Sequence, residues 1–358
     1  MESLSVVLPN YNHARYLPAA LDALLAQSRP PDQVIVVDDG STDESVAIAE
    51  KYASLHGSVT LLKSGHNGAV PALVRGLEAA RGSYVYLAAA DDLVMPGFFA
   101  LGLSRLEQYP AAGLFCGTTM LYDGSTGQPA GRRPIAWPRF RPGLVGPERA
   151  QKLLRRSDNW ILTGASLLLR EAIEQAGGLE VSLGSFADGY MVRKVALLRG
   201  FYFEPRPVAI WNIHADSVSR KTATVPGLAV EGLESYTRRI KQDATFPTWY
   251  AEVFGRRWRF AAARIALELP GSGAEVLPVM AVKSRLDLGV LMGLRPRLGP
   301  RIGGFVALSW LYLRFRPTSL FRIIVSSMVA RLTARRSAAG PAALGREPRD
   351  LQPKAAAG

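Results

Sequence analysis

The sequence has little sulfur and few imidazole groups. Cys116 is the single cysteine in 358 residues, and there are four histidines. An intramolecular disulfide and a cysteine-based zinc cluster are therefore excluded, and a reducing compartment is favoured. The Gly-x-Gly-x-x-Gly fingerprint of dinucleotide-binding folds and the Gly-x-x-x-x-Gly-Lys phosphate loop are also missing. Their absence argues against NAD-dependent enzymes and P-loop ATPases.

Long apolar runs are missing as well. The longest stretch without a charged residue, at positions 108–122, has 15 residues, and the apolar stretch Ile302–Leu313 between Arg301 and Arg314 has 12. A helix that crosses a bilayer needs about 20 apolar residues, so the sequence predicts no conventional transmembrane helix. Residues 1–3 lead directly into an apolar stretch without a basic leader, so no targeting peptide is expected. These features predict a cytoplasmic protein.

Positive charge is concentrated in the last third of the chain. The formal net charge of the whole sequence is +13, of which residues 1–244 carry +1 and residues 245–358 carry +12. The first part therefore has the charge balance of an ordinary soluble domain. The second part is expected to meet an anionic surface, either a membrane or a nucleic acid.

The apolar content of the basic region favours the membrane. Ile302–Leu313 and Leu320–Leu332 combine aromatic and aliphatic residues with flanking arginines, a mixture typical of helices that lie in the headgroup layer. The sequence therefore predicts a peripheral protein at the inner face of the cell membrane. One alternative is a helical subdomain docked on the main domain with solvated arginines. Nucleic-acid binding is a weaker alternative, because no zinc finger or RNA-binding motif accompanies the charge.

These patterns predict three segments. Residues 1–220 form an α/β domain, residues 221–336 a helical basic region, and residues 337–358 a disordered tail rich in Ala, Gly and Pro. Within the first segment, apolar strands at residues 5–8, 33–37, 59–62 and 84–88 alternate with helical patterns, which indicates a mostly parallel sheet flanked by helices. Ser41 and Glu44 match a capping box and predict that the second helix begins directly after Ser41.

Polar residues follow three of the predicted strands. Tyr11 lies in a Pro-Asn-Tyr-Asn turn, Asp38 and Asp39 end the second strand, and Asp91 and Asp92 follow the fourth. Either acidic pair alone is typical of a helix cap or a solvated turn. Because ligands bind where the carboxyl ends of parallel strands converge, the combination predicts a site for a nucleoside diphosphate. Carboxylate oxygens are suited to Mg²⁺ or Mn²⁺ that also binds the diphosphate.

These segments resemble the inverting nucleotide-sugar glycosyltransferases of family 2, which have the GT-A fold. Residues 5–12 (Ser-Val-Val-Leu-Pro-Asn-Tyr-Asn) are similar to that family's opening strand and residues 36–43 (Val-Val-Asp-Asp-Gly-Ser-Thr-Asp) to its base-binding aspartates. Residues 90–96 (Ala-Asp-Asp-Leu-Val-Met-Pro) are similar to its metal-binding loop. The likeness extends to about residue 220. It implies transfer of a sugar, with inversion, from a nucleotide-diphosphate sugar to a lipid-linked or cell-surface glycan precursor.

The resemblance also implies roles for individual residues. Asp188 is the expected catalytic base, near the amino terminus of a helical run at 189–199. The remaining implied residues are Pro9, Tyr11, Asn12, Asp38, Asp39 and Asp91 for the donor, Asp91, Asp92 and His214 for Mg²⁺ or Mn²⁺, and Trp160 and Gly164 for the acceptor.

Several alternatives stay open. Ala89 and Ala187 stand where the family often has acidic residues, so a non-catalytic protein that binds sugar nucleotides is one of them. A synthase that transfers a sugar to polyprenyl phosphate is another. Asp188 could instead cap a helix, His214 could be an ordinary loop histidine, and Trp160 could belong to the core.

Overall fold

The computed structural model describes residues 3–124, 126–132, 135, 137–213, 217–268 and 272–317. The predicted tail at 337–358 and the apolar segment Leu320–Leu332 lie outside the described residues. The predictions for them stay untested.

A single sheet organises the amino-terminal part of the molecule. Its strands are β1 (Leu4–Asn10), β2 (Gln33–Asp38), β3 (Val59–Lys63), β4 (Tyr84–Leu87), β5 (Leu93–Val94), β6 (Leu114–Asp123), β7 (Pro129–Arg132), β8 (Gly143–Val145), β9 (Ser166–Leu169) and β10 (Phe201–Ile213). Within the described residues the order is β3-β2-β1-β4-β9-β6-β10-β5, with β7 beside β6 and β8 beside β10.

The sheet is mostly parallel. β3, β2, β1 and β4 run in the same direction, and β6 and β10 run parallel to each other. β9 is antiparallel to both β4 and β6, so β6 and β10 share the direction of β1. The carboxyl ends of β1, β2, β4 and β10 therefore lie along one edge of the sheet.

Helices cover both faces of the sheet and continue beyond it. They are α1 (Leu17–Leu25), α2 (Ser45–Leu55), α3 (Ala69–Ala79), α4 (Phe98–Gln108), α5 (Pro147–Leu154), α6 (Arg170–Ala176), α7 (Ala187–Arg199), α8 (Val218–Thr224), α9 (Pro226–Gln242), α10 (Tyr250–Glu268), α11 (Ser272–Met280), α12 (Arg285–Leu288), α13 (Arg295–Arg297) and α14 (Gly299–Phe315). Short 3₁₀ turns lie at Thr163–Ala165 and Val181–Phe186, and a π-helical turn at Gly289–Leu294 joins α12 to α13.

The sheet strands are apolar on both faces because both faces are covered. Val34, Val36 and Val37 of β2 are fully buried, as are Val6 and Val7 of β1. This continuous burial is expected for parallel strands packed between helices. Cys116 is also buried, on β6, and burial raises the pKa of its thiol well above its usual value.

The carboxy-terminal helices share this core. Buried residues of α8, α9 and α10, together with Val276 and Met280 of α11, belong to the same apolar cluster as the sheet. The described apolar core is therefore continuous across residue 220, and the predicted segment boundaries stay a prediction. A smaller cluster, including Ala263, Leu277, Leu291 and Leu311, joins α10 to α11, the π-helical turn and α14. Among the helices of the described residues, none has both the length and the apolar composition needed to cross a bilayer.

Candidate active site

Loops from three neighbouring strands meet at the carboxyl edge of the sheet. Asn10 at the end of β1 is paired with Asp38 at the end of β2, and the backbone N–H of Asp39 donates to the Asn10 carbonyl at 2.8 Å. β4 flanks β1 on the other side and leads into the loop that carries Asp91 and Asp92. The sequence-predicted polar clusters therefore lie along the same edge.

The Asp38 carboxylate holds the tips of β1 and β2 together. It accepts the Asn10 side-chain amide at 2.8 Å, the Ser41 hydroxyl at 2.7 Å and the Ser41 backbone N–H at 2.9 Å. Ser41 is therefore part of this turn, and the capping-box prediction is wrong. α2 begins four residues later, at Ser45, without a side-chain cap.

The Asp39 carboxylate anchors the following loop. It accepts the backbone N–H groups of Asn67 and Gly68 at 2.9 and 2.7 Å and the Ser64 hydroxyl at 3.1 Å. Gly68 has a φ of 101°, a left-handed conformation that glycine adopts without strain. The loop at residues 64–68, between β3 and α3, is thereby fixed next to the tip of β2.

The His66 ring lies near the Asp39 carboxylate and packs against the Tyr11 ring. The Tyr11 ring lies 4.2 Å from the His66 ring, at an angle of 31°, and His66 Nδ1 is 3.7 Å from Asp39 Oδ2. Asn12 adopts a left-handed φ of 53°, and its side-chain oxygen accepts the Thr42 backbone N–H at 2.7 Å. The Pro-Asn-Tyr-Asn turn is thus tied to the loop after β2.

The loop after β4 is held by β10. The backbone N–H of Asn212 donates to Asp92 Oδ1 at 2.9 Å, and the Asn212 side-chain amide donates to the Asp91 carbonyl at 2.5 Å. Asn212 precedes the carboxyl end of β10, so a strand distant in the sequence fixes both aspartates. This positioning role was not predicted from the sequence.

Gly164 lies beside Asp92. A Cβ at Gly164 would be 3.9 Å from Asp92 Oδ2, and the Gly164 carbonyl accepts the Tyr86 hydroxyl at 3.0 Å. Burial, and to a lesser degree the charge of Asp92, raises the pKa of Tyr86. The Tyr86 hydroxyl therefore stays protonated and holds the Thr163–Ala165 turn against the acidic loop.

The donor set of this loop suits a divalent cation carried by a diphosphate. Within the described residues, no group of three or more His, Cys, Asp or Glu side chains is arranged to hold a metal ion. Mg²⁺ is commonly bound by one or two carboxylates together with water and substrate phosphates, and Asp91 and Asp92 supply that number. His214, the third predicted metal ligand, lies outside the described residues.

Asp188 occupies the second position of α7. Its Oδ1 accepts the Gly189 backbone N–H at 2.6 Å, and the side chain is partly exposed. α7 packs against the turn that contains Gly164. The structure thus places Asp188 on an element that contacts the acidic loop through this turn.

A partly buried arginine lies against the residue that follows Asp188. A Cβ at Gly189 would be 2.7 Å from Arg193 Nη1. The Arg193 guanidinium donates to the Asp158 carbonyl at 3.2 and 3.1 Å and to the Tyr236 hydroxyl at 3.0 Å. Gly189 therefore makes room for a cation near the predicted base, an arrangement for which the sequence gives no indication.

Asp158 connects this arginine to α10. Its carboxylate accepts the Tyr250 hydroxyl at 3.0 Å and lies 3.3 Å from Arg257 Nη1. Burial acts to raise the pKa of Asp158, but the Arg257 and Arg193 charges hold it below its usual value. The carboxylate therefore stays ionised and links α7 to α10.

Trp160 is a core residue, and the prediction that it lines the acceptor pocket is corrected by the structure. Its ring is 1% exposed and stacks on Phe201 at 4.9 Å, while its indole N–H donates to the Ser157 carbonyl at 2.7 Å. No ring face is left for a sugar. Gly164 remains the predicted acceptor-side residue.

Comparisons with known proteins give consistent results. Residues 5–176 match the model of the family described as "Glycosyl transferase family 2". The chain is 31% identical over 205 residues to "Uncharacterized glycosyltransferase EpsJ" of Bacillus subtilis, covering 53% of this chain and 58% of that protein. It is 36% identical over 125 residues to the human "Dolichyl-phosphate beta-glucosyltransferase", covering 30% of this chain and 38% of that protein.

Among solved structures, the chain resembles "Mannosyltransferase PcManGT from Pyrobaculum calidifontis in complex with GDP-Man and Mn2+". The TM-score is 0.55 with 19% identity, over 91% of this chain and 87% of that chain. At this identity the likeness concerns the fold, and it confirms the predicted mixed α/β architecture of the GT-A type. The chain spans less than two thirds of the length of the first curated relatives that it matches.

Proposed function

Residues 5–176 belong to glycosyl transferase family 2, and from this premise we propose that the protein is a metal-dependent, inverting glycosyltransferase. The donor is a nucleotide-diphosphate sugar, and the acceptor is a lipid-linked or cell-surface glycan precursor. The observation that carries the proposal is the meeting of two carboxylate loops at one sheet edge. Asp39 lies in the loop after β2, and Asp91 and Asp92 lie in the loop after β4, with β1 between those strands.

The nucleotide base binds at the Asp39 end of this edge. A carboxylate offers about four acceptor positions, and three protein donors contact Asp39 in the described structure. A base N–H can be the fourth. The base ring then takes the place of the His66 ring on Tyr11, because both are planar rings of suitable size for stacking. Pro9, Asn12 and Asp38 shape the turn that supports this stack.

The diphosphate extends from the base toward Asp91 and Asp92, which would hold Mg²⁺ or Mn²⁺. When bound, the cation supplies charge neutralisation for the diphosphate. Asp188 accepts the proton of the acceptor hydroxyl while its oxygen attacks the anomeric carbon. The new carbon–oxygen bond forms on the face opposite the departing nucleoside diphosphate, whose bond to the same carbon breaks with its electron pair. The configuration at that carbon is thereby inverted.

The carboxy-terminal region supports the proposed acceptor and cellular location. The last third of the chain carries a charge of +12, which favours a protein bound peripherally to the anionic inner face of the cell membrane. Polyprenyl phosphate is a second candidate acceptor. The similarity to dolichyl-phosphate beta-glucosyltransferase supports it.

A panel of nucleotide sugars tests the proposal. Release of nucleoside diphosphate and transfer to either a diphosphate-linked saccharide or polyprenyl phosphate are measured with Mg²⁺, with Mn²⁺ and with EDTA. We expect turnover with one donor, its loss in EDTA, and a loss of about 10²-fold or more in the Asp92→Asn variant. Glu174→Gln is the matched control, because Glu174 is exposed on α6, which begins at the opposite edge of the sheet.

Two outcomes would contradict the proposal. Binding of a nucleotide sugar without turnover of any acceptor would indicate a non-catalytic binding protein. If turnover were undiminished in EDTA and Asp92→Asn were as active as the control, both the metal dependence and the proposed role of the acidic loop would be refuted.

A further inference from the structure

α14 is packed on one side only. Gly303, Ala307, Leu311 and Phe315 recur at four-residue intervals and are buried against the rest of the helical region. Gly303 permits close approach, because a Cβ there would be 2.1 Å from the Arg295 carbonyl oxygen. α14 is thus firmly seated and presents a defined outer face.

The outer face of α14 is apolar. Ile302, Phe305, Leu308 and Leu313 are 61%, 73%, 40% and 68% exposed. A helix that is apolar on all sides is normally covered on all sides, whereas in the described structure no other segment covers these four side chains. Residues 279–313 hold eight of the 16 exposed large apolar side chains found among the described residues. We call the four α14 side chains the outer α14 face.

The region around this face is strongly basic. Residues 279–316 contain seven Lys and Arg residues but one acidic residue, Asp287. Asp287 is fully buried, where it accepts the Ser284 hydroxyl at 2.9 Å and the Trp310 indole N–H at 3.0 Å and lies 3.4 Å from Arg314 Nε. The region therefore exposes positive charge without exposed negative charge to balance it.

Positive groups also crowd one another beside α14. Burial, followed by the neighbouring Arg259 and Arg314 charges, lowers the pKa of Lys283. Such crowding is relieved by an external anion. The partner of this surface must therefore offer both an apolar layer and negative charge.

We propose that the outer α14 face inserts into the outer acyl layer of an anionic lipid bilayer while the surrounding arginines and Lys283 contact the headgroups. The outer α14 face would then be the part of the chain that contacts the membrane in the proposed function. The biological meaning of this inference rests on that proposed function. A second copy of the chain fits less well, since two such basic surfaces repel each other. The inner side of α14 remains packed on protein, so the helix lies along the bilayer surface.

Flotation of the full chain with vesicles tests this assignment. The vesicles consist of phosphatidylcholine alone or with about 30 mol% phosphatidylglycerol, an anionic lipid. We expect co-flotation with the anionic vesicles, and a loss of about tenfold or more in partition coefficient for the Phe305→Ser/Leu313→Ser double variant. Leu55→Ser is the matched control, because Leu55 is 66% exposed at the end of α2, away from this region.

Folding and activity are monitored separately. Both substituted side chains are exposed, so the thermal unfolding midpoint of the double variant should match that of the wild-type chain. Release of nucleoside diphosphate in solution should also be unchanged, which separates failure of this inference from failure of the proposed reaction.

Three results would overturn the inference. The first is no flotation of the wild-type chain with either vesicle. The second is equal flotation of the double variant and the wild-type chain, in particular if high salt abolishes both, because adsorption would then be purely electrostatic. The third is a dimer in sedimentation that the double variant dissociates, which would assign the face to self-association.

Discussion

Asp38 and Asp39 are neighbours in the sequence with different structural roles. Asp38 joins the tips of β1 and β2 through Asn10 and Ser41, whereas Asp39 anchors the loop at residues 64–68. A polar pair at a strand end could be predicted from the sequence, but the division of roles depends on hydrogen bonds to residues up to 29 positions away. A local pattern contains no information about such partners.

At the residue scale, the sharpest prediction concerns Asp188. Asp188→Asn keeps the size and one acceptor oxygen of the side chain but cannot take up the acceptor proton. We expect transfer to fall by about 10²–10⁴-fold, while the dissociation constant of the donor, measured by titration calorimetry, stays within about twofold. Glu174→Gln again serves as the control. If Asp188→Asn weakened donor binding but left the rate of transfer at saturating donor unchanged, Asp188 would not be the base.

Single residues also define the limits of prediction at this scale. Asp39, Asp91 and Gly164 could be singled out because they follow strand ends or match a family motif. Asn212, His66 and Arg193 could not, since their contacts arise only when β10, the loop after β3 and α7 are brought together. Trp160 was ambiguous because an aromatic residue suits both a sugar site and a core, and burial alone decides between them.

At the scale of elements, α3 packs closely on the two strands that lead to the proposed binding site. Gly76 faces β1 and β2, and a Cβ there would be 2.2 Å from Val7 Cγ1 and 3.2 Å from Val37 Cγ2. β1 and β2 carry the proposed donor-binding turns at their ends. The distance between α3 and these two strands therefore also affects the position of the proposed site.

Gly76→Ala should consequently destabilise the protein. Overpacking of a filled core costs about 1–3 kcal/mol, which we expect to see as a lower free energy of unfolding in urea. Gly57→Ala is the control, because no atom lies within 4 Å of a Cβ at that position. Equal stability of the two variants would show that α3 can shift without cost.

The boundaries of elements were predicted unevenly. The first four strands match the predicted runs within one or two residues, because the apolar stretches that define them are also the buried stretches. The start of α2 was wrong by several residues. Ser41 has the side chain of a helix cap, but its hydroxyl donates to the Asp38 carboxylate and its oxygen accepts the backbone N–H of Asn12 at 2.9 Å instead of a helix N–H.

At the scale of the whole molecule, buried carboxylates join the sheet domain to the carboxy-terminal helices. Asp158 contacts Tyr250 and Arg257 of α10, and Asp243 accepts the Tyr190 hydroxyl of α7 and lies 2.8 Å from Lys194 Nζ. Burial acts to raise the pKa of each, but the hydrogen bonds and nearby cations lower it. Both carboxylates are therefore expected to stay ionised at neutral pH.

This arrangement predicts acid-sensitive stability. A lowered pKa in the folded state means that the carboxylate contributes stability above its unfolded pKa of about 3.9, and loses it as the pH falls through the folded value. Asp158→Asn should lower the free energy of unfolding at pH 7 by roughly 3–5 kcal/mol, since Arg257 is left buried without its counter-charge. Between pH 5 and pH 2 the free energy of unfolding of the variant should also fall less steeply than that of the wild-type chain. The difference corresponds to the pH-dependent contribution of the Asp158 carboxylate.

Urea titrations across this pH range measure the effect. Glu174→Gln should reproduce the wild-type curve because Glu174 is exposed. If Asp158→Asn followed the wild-type curve as well, the ion pair would not contribute to the acid response.

At the scale of the whole molecule, the charge and the apolar core follow different divisions of the chain. Composition divides the chain where the charge changes, near residue 244, but the described apolar core continues from the sheet through α10. Charged residues lie mainly on the surface, whereas the continuity of the core depends on the apolar residues of the interior. The charge balance of the sequence therefore does not reveal how far the core extends.

The burial of Cys116 has a practical consequence. The chain contains one thiol, and its raised pKa together with its position on β6 makes it unreactive toward alkylating reagents in the folded state. A cysteine introduced at Phe305 would thus accept a maleimide fluorophore selectively, with the native thiol left in place. The emission of such a dye would report directly on the polarity that this helix meets.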